Sequence, residues 1–331
     1  MREGESVQQF GIVLGQMIGM AVMMVVGYIC VKSKVLGEAA LDGICAFILK
    51  AGIPLLVFSN AVSGTTRADL IGSDAIIAMT LVMYALLIGL FTLLSHVLRL
   101  KRERGRMFRG CFAFGNAGFI GLPLILALFP GKGALYFALM SIVDQFLLWT
   151  YGVWTCKKVD DRQSIADERP AHGWLDRLAP LVSPALIAVV LAVTLILAGV
   201  TIPDVVLTPL KTLGSTASPL SMVYLGGLFA IRDWTGILRK YELYVGIVVK
   251  MLLVPVGFYA LLTAVPPMLG LGAANPDMVH MMTLVSGLPT MSTMVMFAER
   301  EHNQPEYAIG MVLVTTVASL FTLTAVSFLV F

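Results

Sequence analysis

Long apolar runs alternate with short polar turns along nearly the whole chain. Ten such runs stand out, at about 10–31, 40–62, 74–98, 107–129, 132–156, 179–200, 205–230, 241–265, 277–298 and 305–330. Runs of about 18 or more apolar residues are long enough to cross a bilayer core of roughly 30 Å. The pattern predicts an all-α polytopic membrane protein of ten transmembrane helices, numbered here as segments 1 to 10. Segment 1 is too long for the apolar core of a signal peptide, and only one Arg and two Glu precede it. It reads as a permanent span.

Prolines punctuate these runs in a repeating way. Pro54 lies in segment 2 and Pro123 in segment 4; Pro219 lies in segment 7 and Pro289 in segment 9. Both later prolines stand in the tripeptide Gly-Leu-Pro, and in each half the second proline follows the first by about seventy residues. The segment numbers differ by five, an odd number, so the second half enters the membrane with opposite orientation. That predicts an inverted-topology repeat, a plan used by many secondary transporters. Residues 1–156 form the first five-helix repeat, 157–178 a linker and 179–331 the second repeat. Pro54 and Pro219 are expected to act as structural helix breaks.

Composition agrees. Of the 331 residues, 58% are hydrophobic and 13% charged, with a mean hydropathy of +0.89. Soluble domains carry about 25% charged residues. Seventeen of the 23 Lys and Arg fall on loops after odd-numbered segments and three on the opposite side, with Lys50, Lys211 and Lys250 inside segments. The positive-inside rule then puts the odd loops in the cytoplasm and both termini outside. It also accounts for the basic pI of about 8.6 without a nucleic-acid partner. The stretch 157–177 is polar and nearly charge-balanced, as suits a cytoplasmic linker. Cys30, Cys45, Cys111 and Cys156 show no metal-like or paired spacing and read as free thiols.

The stretch FGNAGFIGLPL at 114–124 and the stretch SGLPTMS at 286–292 place Gly, Pro and polar residues near the middle of segments 4 and 9. Proline cannot donate an intrahelical hydrogen bond but suits a helix's first turn, and glycine lets the backbone leave helical geometry. Two broken helices are expected, unwound over about 115–122 and 285–288 and restarting at Pro123 and Pro289. Their positive half-helix ends would meet from opposite sides, a ready site for a small anion such as a carboxylate. Candidate substrate-binding residues are Gly115, Asn116, Gly118, Pro123, Ser286, Gly287, Pro289, Thr290 and Ser292. Asn116 fits substrate binding better than mere satisfaction of a broken backbone. The hydroxyls fit equally well a bond back within their own helix.

Three ionisable residues lie at depth, where charge is costly and tends to be paired or functional. Asp144 fits either a proton or cation site or one half of an ion pair with a lysine. Lys250 could neutralise an anionic substrate. Lys50 could do the same, or snorkel toward the cytoplasm. No H-E-x-x-H pair, paired intramembrane aspartates, phosphate-binding loop or dinucleotide fingerprint is present, so nothing calls for an enzyme, an ATP-driven pump, a metal or another cofactor. A sensor would call for an added signalling domain, and none is expected after segment 10.

GNAGFIGLPL in segment 4, with SGLPTMSTMVMFAEREHNQPEYAIGMVLVTT across segments 9 and 10, resembles the auxin efflux carrier family of plant auxin exporters and bacterial permeases, some described as malonate carriers. The resemblance covers essentially the whole chain, including the Pro-Leu pairs of segments 2 and 7. It implies two inverted five-helix repeats, similar in fold to bile-acid/sodium symporters, with helices 4 and 9 crossing over the substrate. Segments 1, 2, 6 and 7 would form the scaffold side and the others the moving side. Asn116 and the Pro123/Pro289 crossover would hold the substrate carboxylate, with a proton or sodium ion as coupling ion, and plant members form homodimers. The short central loop, and Ser286 and Thr290 beside the second motif, depart from the plant members. A permease of the bacterial inner membrane for small organic anions such as malonate fits better than an exporter of auxin-like aromatic carboxylates.

Overall fold

The computed structural model describes residues 2–63, 67, 74–129, 132–159, 184–268 and 275–330. Helix falls on each of the ten apolar segments. Among the described residues there is no strand, only a single antiparallel bridge between Gly115 and Thr290. Among the described residues, five helices are long and apolar enough to cross a membrane: Glu38–Val62, Ala75–Val97, Leu135–Cys156, Tyr241–Val265 and Pro305–Val330. From residue 160 onward, the stretch expected to link two halves lies outside the described residues.

The chain has a hydrophobic core that also encloses several polar groups, and it carries large apolar side chains on its outside. Val205, Phe321 and Phe328 are among the most exposed large side chains, while Asn116, Asp144, Gln145, Glu242 and Lys250 are buried. Lipid solvates the apolar surface at no penalty, so polar groups gather where helices face each other. The four cysteines are free thiols, as their spacing predicts.

Close helix packing depends on small residues. A Cβ at Gly27 of Arg2–Lys32 would run into the Val223 carbonyl, and one at Gly226 of Ala217–Ile231 into the Met24 carbonyl. The two glycines are reciprocal and bring the backbones of segments 1 and 7 together, which is how membrane helices gain packing without a hydrophobic driving force.

Prolines shape the helices differently from the expected clean breaks. Ile48–Gly52, Ala117–Gly121 and Val249–Leu253 are wide π turns. Each ends two residues before a proline, at Pro54, Pro123 and Pro255. A proline ring clashes with the carbonyl four residues earlier and leaves it without a donor. Widening the preceding turn relieves both faults while the chain stays helical. Pro54 is therefore the site of a π turn rather than of a break. At Pro219 the interruption is a single residue, Thr216, with φ −68° and ψ −21°, between Asp204–Ser215 and Ala217–Ile231.

Candidate functional site

Segments 4 and 9 do open at their centres, at positions set by something other than proline. Segment 4 leaves helix after Arg102–Ala113, is extended at Phe114 (φ −99°, ψ 121°), and resumes at Ala117. Segment 9 ends its first helix, Pro276–Ser286, and resumes with Thr293–Arg300. The expected restarts at Pro123 and Pro289 are thus corrected: helical geometry returns before the first proline and after the second. The reason lies in hydrogen bonding. The Asn116 N–H donates to the Pro289 carbonyl at 2.7 Å, and the Met291 N–H donates to the Phe114 carbonyl at 3.1 Å. Buried backbone groups must be paired, and here each broken segment pairs the other's.

The glycines of the first motif make room for the second. A Cβ at Gly115 would sit 2.9 Å from the Leu288 Cβ, and one at Gly121 would sit 2.8 Å from Leu288 Cδ1. Gly287 packs in the same way against Pro255. None of these glycines has positive φ. Gly115 and Gly287 do stand where the backbone leaves the helix, and at Gly115, Gly121 and Gly287 the missing side chain also permits close approach.

Side chains then complete the crossing. The Asn116 side-chain amide donates to Ser292 Oγ at 3.1 Å, and the Thr290 N–H donates to Thr315 Oγ1 at 3.0 Å. Thr290 Oγ1 is buried without a hydrogen-bond partner. Ser286 bonds back to the Thr283 carbonyl in its own helix. Pro123 is an early residue of the helix Leu122–Leu128.

A cavity of about 50 Å³ opens beside the crossing. Its polar lining is Asn60, Asn116, Ser141, Asp144, Gln145 and Thr293, and Gly118 also faces it. A Cβ at Gly118 would meet open space. Of the proposed site residues, Asn116, Gly118 and Asp144 therefore share one cavity, while Ser286, Pro289, Thr290 and Ser292 are not on its lining. Asn60, Ser141 and Thr293 escaped the sequence reading. Asn60, a lone amide in the apolar run LLVFSNAV, was the signal available.

Asp144 is 2% exposed. It accepts a hydrogen bond from the Tyr84 hydroxyl and another at 2.9 Å from Gln145 Nε2. Neither Lys50 nor Lys250 forms an ion pair among the described residues. Lys250 Nζ is buried with no hydrogen-bond partner. Lys50 is exposed and faces a different cavity.

The model for the family described as membrane transport protein matches residues 12–327, almost the whole chain. The chain belongs to this family, that of the auxin efflux carriers. It is also similar to an uncharacterized transporter of Saccharomyces cerevisiae, at 24% identity over 175 residues. That match takes in 50% of this chain and 29% of the yeast protein, so the chain spans less than a third of that relative. The family model and the yeast relative are both described as transporters.

A second, larger cavity of about 780 Å³ lies on the side of the loops after segments 7 and 9. Lys50, Trp149, Arg232, Glu299, Arg300 and His302 line it. Arg232 and Glu299 join segments 7 and 9 there through two parallel hydrogen bonds of 3.1 Å. The bond to Glu299 raises the Arg232 guanidinium above its ordinary range, and the contact is a bidentate, charge-assisted one. Between the two cavities stands Trp149, which donates from Nε1 to Gln145 Oε1 at 3.3 Å and sets its ring edge-on against Phe297, centroids 5.0 Å apart. Trp149 faces the large cavity and Gln145 the small one.

Proposed function

We propose that this transporter is a secondary carrier of small organic anions, mono- or dicarboxylates such as malonate, working by alternating access across the plasma membrane. The observation that carries the proposal is the backbone-paired crossing of two interrupted helices, with Asn116 and Thr293 from its two sides lining one cavity. Unwound backbone at membrane depth persists where protein or a polar cavity shields it, and in transporters such breaks mark the substrate site. The restarting helix Thr293–Arg300 presents its positive end near the cavity, which favours a carboxylate. In this reading residues 1–156 and 179–331 are two inverted repeats joined by 157–178, giving ten crossings with both termini outside.

The two cavities fit the transport cycle. The small one has room for a few waters and is the candidate substrate site. The large one is the cytoplasmic vestibule, separated from the site by Trp149. The test is exchange of labelled malonate by the purified protein in liposomes, with competition by mono- and dicarboxylates and by indole-3-acetate. Saturable exchange inhibited by aliphatic acids supports the reading. Exchange confined to indole-3-acetate would move the assignment to aromatic carboxylates, and no exchange of any of them would overturn it.

A further inference from the structure

The small cavity is an unusual place to hold an anion. Among the described residues that line it there is no Lys, Arg or His, and its ionisable group is Asp144. An organic carboxylate entering beside an ionised Asp144 would put two negative charges together in a low-dielectric pocket, where repulsion is strong. Two carboxyl groups sharing such a site hold one proton between them.

The groups around Asp144 decide which cation could remove that conflict. Tyr84 approaches from segment 3 and Gln145 from the same helix, each donating hydrogen to the carboxylate. Lys250 of segment 8 lies within electrostatic reach, as does Cys111 of segment 4 with respect to Lys250. Lys250 is outside ion-pair distance of Asp144 and off the cavity lining. Segment 2 turns Lys50 to the larger cavity, and the described part of segment 6, Pro184–Leu197, contains no ionisable residue. A metal cation would need several oxygen acceptors aimed at it. The two side chains bonded to Asp144, Tyr84 and Gln145, act toward it as hydrogen-bond donors, and no group of three or more His, Cys, Asp or Glu forms among the described residues.

We propose that Asp144 carries a proton with each substrate anion, making the protein a proton–anion symporter. The proposal rests on the carboxylate-carrier reading above. On the side where the site is open, a proton from water binds an Asp144 carboxylate oxygen. The neutral carboxyl then donates a hydrogen bond to the incoming carboxylate. On the far side anion and proton both leave, so one of each crosses per cycle and no electrons move. Tyr84 is a positioning residue, since its hydroxyl favours the ionised carboxylate and sets the pH at which the site reloads.

The experiment separates coupling from carriage. Protein in liposomes loaded with a pH dye is assayed first for exchange of labelled malonate, then for luminal acidification when a malonate gradient is imposed under a potassium-clamped potential. Wild type is expected to exchange, to acidify the lumen, and to lose exchange by about tenfold per pH unit above its midpoint, as the protonated form declines. Asp144→Asn removes the titrating group and is expected to abolish acidification and flatten the pH profile of whatever exchange it keeps. If it fails to fold, Tyr84→Phe serves instead: loss of the hydroxyl moves the midpoint to higher pH. Wild-type exchange without acidification would overturn the symport proposal and leave the carrier reading standing. An unshifted Tyr84→Phe profile, or an Asp144→Asn profile like wild type, would also overturn it. Absence of all malonate exchange would overturn the carrier reading itself.

Discussion

The backbone N–H of Asn116 donates to the carbonyl of Pro289 across 2.7 Å, joining two helices at the point where each is interrupted. With the matching bond from Met291 to Phe114, the broken backbones satisfy each other. The Asn116 side chain donates to Ser292 and lines the cavity.

The glycines of the first motif should separate by role. Gly115→Ala drives a Cβ to 2.9 Å from Leu288 Cβ, two atoms with little room to move. We expect it to destabilise the protein by about 1–3 kcal/mol, as overpacking does. Gly118→Ala adds its methyl to open space in the cavity; it should leave the melting temperature nearly unchanged and weaken malonate exchange. Thermal melts in detergent beside exchange assays check both. Equal melting temperatures for the two variants would refute the close-packing role of Gly115.

Segments 1 and 7 should be intolerant of bulk at their contact. Gly226→Ala places a Cβ against the Met24 carbonyl, and backbone cannot yield as a side-chain tip can. The expected loss is again about 1–3 kcal/mol, read as a lowered melting temperature. Gly257→Ala, where an added Cβ meets nothing within 4 Å, is the control and should melt like wild type.

Trp149→Phe keeps an aromatic ring against Phe297 and removes the N–H that holds Gln145. A hydrogen bond of this kind contributes about 1 kcal/mol, so the partition between the cavities should open several-fold more often. A membrane-impermeant thiol reagent applied to the vestibule side would read this at Ser141→Cys, a position on the small cavity. The native Cys45 lines the large cavity and is replaced by Ala in both backgrounds. Faster labelling in Trp149→Phe is expected; an unchanged rate would mean that Trp149 does not control access.

The existence of the crossing could be read from the sequence because Gly, Asn and Pro are poor choices for the middle of an apolar helix, and the two Gly-Leu-Pro tripeptides marked both partners. Its register could not. The extents 114–116 and 287–292 follow from hydrogen bonds between residues over 170 positions apart, and no local propensity encodes them. The role of Gly115 was hidden for a similar reason: a glycine needed for conformation and one needed for contact look alike in sequence. Pro54 read as a break because a π turn has no separate signature. Asp144 stood out as a buried charge, but its partner Tyr84 did not, since tyrosine in TLVMYALLIG blends into an apolar run. Lys50 and Lys250 were legible as charges at depth, yet only the packing shows that one faces the larger cavity and the other is enclosed.

The central claim is that the crossing holds the transported anion through Asn116. Its most direct test compares malonate exchange by wild type and Asn116→Ala in liposomes, with melting curves confirming that both are folded. Removal of a hydrogen-bonding amide from a buried site costs about 1–3 kcal/mol, so exchange should fall by roughly tenfold or more at subsaturating malonate while the fold persists. Wild-type exchange by a folded Asn116→Ala protein would contradict the account and move the substrate away from the crossing.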